Sequence, residues 1–245
     1  MTETTDDRFL GGRVFVRQFN HGFRAGLDAV MLAAAVPAQS RDETFELGSG
    51  AGTASLCLAE RVRDVSGIGV EVDPVLASLA NENAAANERG DRVKFVEADI
   101  FALPTELKRD FAHVFCNPPF HDEQGEVSPE PSRDRALRDV GQFTDWIATG
   151  LKRTISGGTF TVILRADRLG EALAQMPERG VTIFPLWPRA GEPAKRVILQ
   201  ARKGSRAAST LSPGHVLHNA DGTYTAEADA ILRDGASLAL DSRGL

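Results

Sequence analysis

Asn117-Pro118-Pro119-Phe120 is the stretch of this chain whose residue types most directly suggest a reaction. It follows an apolar run, 111–116, that reads as a strand, and proline ends a central strand because it has no N–H for the ladder. The Asn117 side-chain oxygen and the Pro118 backbone carbonyl are two acceptors side by side. Together they suit the two N–H groups of one exocyclic amine. Such a nitrogen is a poor nucleophile because its lone pair is delocalised. Holding both N–H groups favours the pyramidal geometry that it reaches only near the transition state. The prolines fix the direction of the carbonyl. Phe120 offers a face on which a base can stack, worth roughly 1–3 kcal/mol. No strong base is needed if the methyl donor is a sulfonium cation, since the amine becomes acidic as the new bond forms. A plain strand-ending turn would carry the same prolines, so the residues upstream have to decide.

Those residues are Glu46-Leu47-Gly48-Ser49-Gly50-Ala51-Gly52 and Glu71. Glycines let the chain turn sharply and let a ligand approach the backbone. Gly48, Gly50 and Gly52 are spaced G-x-G-x-G, not G-x-G-x-x-G as in a dinucleotide site. Glu46 precedes them, and Ser49 lies between the first two. Glu71 closes the next strand, where a carboxylate can take two ribose hydroxyls. That contact indicates adenosine without choosing between NAD and S-adenosyl-L-methionine. Asp99 follows the third strand and can accept from an adenine amine, although a turn or helix cap would also use an aspartate there. Val72 and Ile100 flank these two acids. The expected cofactor site is Glu46, Gly48, Ser49, Gly50, Gly52, Glu71, Val72, Asp99, Ile100 and Asn117. His121 reads as a solvated loop residue, and Cys57 and Cys116 as small buried apolar ones. No metal spacing and no nucleophile motif is found.

These motifs need a frame. Leu27, Val30, Met31 and Ala34 have helical spacing. Strands are expected at 43–47, 65–72, 93–97, 111–116, 159–164, 181–187 and 196–201. Helices are expected at 53–63 and 74–89, the second ending at Gly90, and others around 143–151 and 169–176. Gly157-Gly158 would turn the chain into the fifth strand. The last two strands are joined too closely for a crossover helix and should be antiparallel neighbours. The expectation is a doubly wound α/β sheet, mostly parallel and seven-stranded, of Rossmann-like type, closed by an antiparallel hairpin. Residues 1–8 are expected to be disordered, 9–205 to form the main domain, and 206–245 a small appendage with a turn at Asp221-Gly222 and a helix near 226–233. The stretch 124–135 reads as a mobile loop.

Composition is that of a globular chain: 42% apolar, 25% charged, two cysteines, net charge −6. The acidic N-terminus lacks the pattern of a signal peptide, and no apolar run can span a bilayer, so a cytoplasmic protein without a membrane role is expected. Residues 189–206 hold six basic residues and one acid, giving +5 and leaving −11 for the rest of the chain. A basic stripe on an acidic body can bind RNA. A strand edge guarded by lysine and arginine has the same composition.

With those residues in place, the chain resembles methyltransferases of the N-P-P-[YF] type. More closely it is similar to the bacterial valine-tRNA adenine-N6 methyltransferase family. The similarity runs from about Gln18 to Leu232. It rests on Phe23-Arg24-Ala25-Gly26-Leu27-Asp28-Ala29-Val30, the glycine motif, N-P-P-F, the segments 165–169 and 185–204, and Gly222-Thr223-Tyr224-Thr225. The resemblance implies a tRNA anticodon-loop adenine as substrate and S-adenosyl-L-methionine as cofactor, with Arg24 and Asp28 near its methionine end. It also implies that Arg189, Lys195, Arg196, Arg202 and Lys203 contact the tRNA backbone and that Arg133, Arg135 and Arg138 fold over the substrate. N-P-P-F-H also occurs in ribosomal-RNA guanine-N2 methyltransferases, and N-P-P-Y in protein-glutamine methyltransferases. A non-catalytic adenosine- or RNA-binding module is the remaining alternative.

Overall fold

The computed structural model describes residues 3–119 and 143–240. The chain opens with a hairpin, β1 (Thr4–Phe9) and β2 (Val14–Phe19), followed by α1 (Leu27–Ala35). Then come β3 (Glu43–Leu47), α2 (Thr53–Arg61), β4 (Ser66–Glu71), α3 (Pro74–Ala86), β5 (Val93–Glu97) and β6 (Phe111–Cys116). After the undescribed stretch follow α4 (Phe143–Lys152), β7 (Thr154–Arg165), α5 (Leu169–Leu173), β8 (Val181–Trp187) and β9 (Arg196–Arg202). The chain finishes with β10 (Thr210–Leu211), β11 (His215–Val216) and α6 (Ala226–Asp234).

The main sheet has the order β10-β8-β9-β7-β6-β3-β4-β5, with β11 also pairing β8. From β5 through β7 every pairing is parallel. β9 is antiparallel to both β7 and β8. The seven expected strands are therefore the body of the sheet, and the two-residue strands β10 and β11 extend it beyond β8. Both faces are covered. Val70, Val114 and Cys116 belong to the core beneath α4, while Phe115, Ile163 and Ile198 belong to the core beneath α1 and α2. That double burial is why these strands read as apolar runs without alternation. Strand order reverses between β3 and β6, so a crevice opens beyond their carboxyl ends, where sheets of this kind bind ligands. No helix among the described residues is long and apolar enough to cross a membrane.

Several expectations are corrected. Residues 4–8 are not disordered but belong to strand β1. The hairpin is tied to α3 by two carboxamides one helical turn apart. Asn83 exchanges bonds of 2.9 and 3.0 Å with the N–H and carbonyl of Arg17, and Asn87 exchanges bonds of 2.8 and 2.5 Å with those of Phe15. They satisfy the free edge of β2 as another strand would. Helix α3 stops at Asn87 rather than Gly90, and Glu88 takes the left-handed conformation that turns the chain (φ 56°). β7 begins at Thr154, and Gly157 and Gly158 lie within an irregularity of its pairing with β6 rather than in a turn before it. Helix α6 packs Ala228 and Ile231 into the core beside α1, and the Leu238 N–H donates to the Ala34 carbonyl (2.9 Å).

Candidate active site

Register places the candidate residues on one edge. Leu47 is level with Val70 on one side and Cys116 on the other, so Gly48 stands between Glu71 and Asn117. Glu71 is in turn level with Glu97. From β5 to β6 this edge spans three strand spacings, about 14 Å.

The glycine turn is a built object. Ser49 N–H donates to the Val70 carbonyl and Gly52 N–H to the Ser49 carbonyl, both at 2.9 Å. Gly48 has φ 64°, and a Cβ there would sit 2.4 Å from the Trp146 ring of α4, so both conformation and space exclude a side chain. Gly50 has φ 53°, but open space surrounds the position of its missing Cβ. Glu71 locks the turn from the end of β4. Its carboxylate accepts from Gly50 N–H at 2.9 Å and from Asp73 N–H at 3.1 Å. Burial pushes its carboxyl above the usual carboxylate range. Val72 is exposed just beyond it. Asp99 accepts from Phe101 N–H at 2.8 Å, while Ile100 is buried and Phe101 packs edge-on to Trp146.

Glu46 occupies a different place. Its side chain is buried behind the turn and accepts from the N–H (3.1 Å) and hydroxyl (2.5 Å) of Ser55 in the first turn of α2. Burial pushes its carboxyl up to about 8. It fastens strand to helix beneath the glycines.

Asn117 stands at the end of β6, with Pro118 buried beside it. Its Oδ1 is buried and has no hydrogen-bond partner among the described residues. An orphaned acceptor is costly in a folded protein, by roughly 1–3 kcal/mol, and at the mouth of a crevice it marks a place for a donor. The open face of Gly50, the Glu71 carboxylate and this acceptor, unpartnered among the described residues, fit the adenosine and methyl-donor portions of S-adenosyl-L-methionine. Phe120, His121, Arg133, Arg135 and Arg138 lie outside the described residues. Among the described residues no cluster of three His, Cys, Asp or Glu side chains is placed to hold a metal ion.

Arg24 is drawn to the hairpin, donating to Asp7 and to the Thr5 hydroxyl, both at 2.6 Å. Asp28, in the first turn of α1, accepts from Arg196 Nε at 2.7 Å. The basic stripe is divided by the strand that carries it. Arg196 pairs with Arg165 at the end of β7, on the same edge as Asn117, whereas Arg202 pairs with Thr159 at the other end. The two stand at opposite ends of this seven-residue strand, about 20 Å apart. Arg189 and Lys195 lie in the loop between β8 and β9 and are exposed on the crevice edge. On the far edge, Arg202 donates to the Gly157 carbonyl (2.8 Å) and Lys203 to that of Thr154 (2.5 Å). Sequence reasoning missed Trp146 as the residue under the glycine turn. Its helical spacing predicted only that it is buried.

Comparison with known proteins agrees with this geometry. Residues 25–130 match the family model described as the methyltransferase small domain. A tRNA1(Val) (adenine(37)-N6)-methyltransferase of Shewanella amazonensis is 34% identical over 121 residues, 49% of this chain and 51% of that protein. One of the same description from Erwinia tasmaniensis is 27% identical over 92% of this chain and 93% of its own. Among solved structures, a protein from Agrobacterium tumefaciens described as a predicted O-methyltransferase superposes with a TM-score of 0.71 at 27% identity. That match covers 89% of this chain and all of the other.

Proposed function

We propose that this chain, an S-adenosylmethionine-dependent methyltransferase, methylates the N6 amine of an unpaired adenine in tRNA, in the anticodon loop. The observation that carries the proposal is the Oδ1 of Asn117 at the end of β6, buried and without a hydrogen-bond partner among the described residues. An oxygen nucleophile, as in the description of the Agrobacterium protein, would arrive with one O–H or none. An amine brings two N–H donors and suits the pair of acceptors formed by Asn117 Oδ1 and the Pro118 carbonyl. The relatives that match over more than nine-tenths of their length act, by name, on a tRNA adenine. A tRNA substrate also implies the cytoplasm.

In this reading Glu71 holds the ribose hydroxyls, and the glycine turn lets the cofactor lie against the backbone. Asp99 receives the adenine amine of the cofactor, between Val72 and Ile100. When bound, the cofactor supplies a methyl carbon already activated for attack by the positive charge on its sulfur. Asn117 and Pro118 hold the target amine and direct its lone pair at that carbon. As the new C–N bond formed, the bond from that carbon to sulfur would break, its electron pair staying on sulfur as a neutral thioether, and one amine proton would become acidic and pass to solvent. Lys195, with Arg189 beside Glu192 and Arg196 beside Asp28, would bring positive charge to RNA phosphates on the same edge.

Nucleoside mass spectrometry of tRNA and ribosomal RNA from cells lacking the gene tests the substrate. Loss of N6-methyladenosine from tRNA is expected. Loss of N2-methylguanosine from ribosomal RNA instead would transfer the activity to guanine.

A further inference from the structure

Tyr224, the only tyrosine of the chain, stacks its ring on His218 with centroids 4.8 Å apart and planes inclined by 28°. The pair sits on a tight turn, 217–225. There Asn219 N–H donates to the Thr223 carbonyl (2.8 Å), Asn219 Nδ2 to the Tyr224 carbonyl (3.0 Å), and the Thr223 hydroxyl to Asp221 (2.6 Å). Thr225 then donates its hydroxyl to the Val216 carbonyl (2.8 Å) and caps α6 by accepting from Ala228 N–H (3.2 Å). None of these bonds uses the tyrosine ring, which is 36% exposed. The turn would hold without it.

Its position is informative. Leu217 N–H donates to the Trp187 carbonyl (2.8 Å), and the His218 backbone N–H to that of Pro188 (3.1 Å). The His218 ring also meets Pro188 O through Nδ1 at 3.1 Å, so Nδ1 carries a proton. The rings therefore stand at the end of β8. β8 runs parallel to β6, and three strand spacings, about 14 Å, separate the two along the crevice edge. Arg189 follows Pro188 directly, and Lys195 and Arg196 lie between.

We propose that the Tyr224–His218 pair is a stacking platform for a second unpaired base of the same RNA, a short distance along the strand from the methylated one. The proposal rests on the RNA reading above and deepens it. Bases splayed from single-stranded loops are received on aromatic faces, commonly beside cations that hold the phosphates. Here the tyrosine is partly exposed, Arg189 and Lys195 are exposed in the loop that leaves the same strand end, and hydrogen bonds already hold the turn, so little ordering opposes binding.

The test is binding of an unmodified anticodon stem-loop RNA, intact or with single abasic positions in its loop, measured by fluorescence anisotropy. Tyr224→Ala and Tyr224→Leu should each weaken binding about tenfold, within the range of one lost stacking contact, and Tyr224→Phe should restore it. One abasic position should weaken the unaltered protein similarly and add nothing in Tyr224→Ala. Thermal stabilisation by S-adenosylmethionine should match the unaltered protein in every variant, which shows that the fold persists. If Tyr224→Ala and Tyr224→Leu bind the RNA normally while the unaltered protein methylates tRNA, the platform is wrong and the RNA reading stands. If the unaltered protein is stabilised by the cofactor but neither binds nor methylates RNA, both fall.

Discussion

The Asn117 side-chain oxygen is buried and has no hydrogen-bond partner among the described residues. Alanine at that position would remove one of two acceptors for the amine. We expect Asn117→Ala to lower kcat by about 10²-fold or more, the scale of one transition-state hydrogen bond, and to leave cofactor stabilisation in place. Single-turnover kinetics separates the two. Glu46 carries a different prediction. Its carboxyl, buried and raised to about 8, is protonated in the folded state over a range where an unfolded glutamate is charged. The folded state binds the extra proton, so stability is full below the unfolded pKa, about 4.3, and falls as pH rises through 8. Glu46→Gln keeps an acceptor for Ser55 and should flatten that fall. Urea midpoints between pH 5 and 9 would show a steeper decline in the unaltered protein, and equal slopes would refute the assignment. The glycine turn and the place of Asn117 at the end of β6 were legible because their signals are local. The placement of Glu46 behind the turn was not, because the same spacing fits a carboxylate facing either ligand or helix.

At the scale of elements, strand order and end positions do the work. The strands β3, β4, β5 and β6 finish at one level and bring Gly48, Glu71, Glu97 and Asn117 to a common edge. Gly48→Ala would drive a methyl group into Trp146 from a left-handed backbone position. The turn must then shift, and we expect cofactor stabilisation in a thermal-shift assay to disappear while the fold survives. The parallel strands were legible as apolar runs. The hairpin was not, because β1 buries none of its residues fully and reads as a polar tail. What orders it lies far along the chain, in Asn83 and Asn87. Asn83→Ala removes partners from Arg17 and from the Ala51 carbonyl. It should cost about 2–3 kcal/mol for the groups left unpaired, readable as a lower urea midpoint.

For the whole molecule, charge is arranged by the sheet and not by the sequence order. The stripe 189–206 is continuous in sequence, yet β9 carries its two halves to opposite edges. Composition alone has no direction and could not show this. Reversing charge at Lys195 or Arg189 should weaken RNA binding and lessen its salt dependence, whereas Arg206→Glu on the far edge should change little. Equal effects at the two ends would mean that RNA wraps the sheet and is not confined to the crevice. The appendage likewise gains meaning only in three dimensions, since pairing with β8 brings Tyr224 to the edge that Asn117 occupies. The most direct test of the account is incubation of the purified protein with unmodified tRNA and methyl-labelled S-adenosylmethionine, followed by nucleoside mass spectrometry. The account predicts label in N6-methyladenosine, and its loss with Asn117→Ala. Label in a ribose or a guanine, or undiminished N6-methyladenosine with Asn117→Ala, would contradict it.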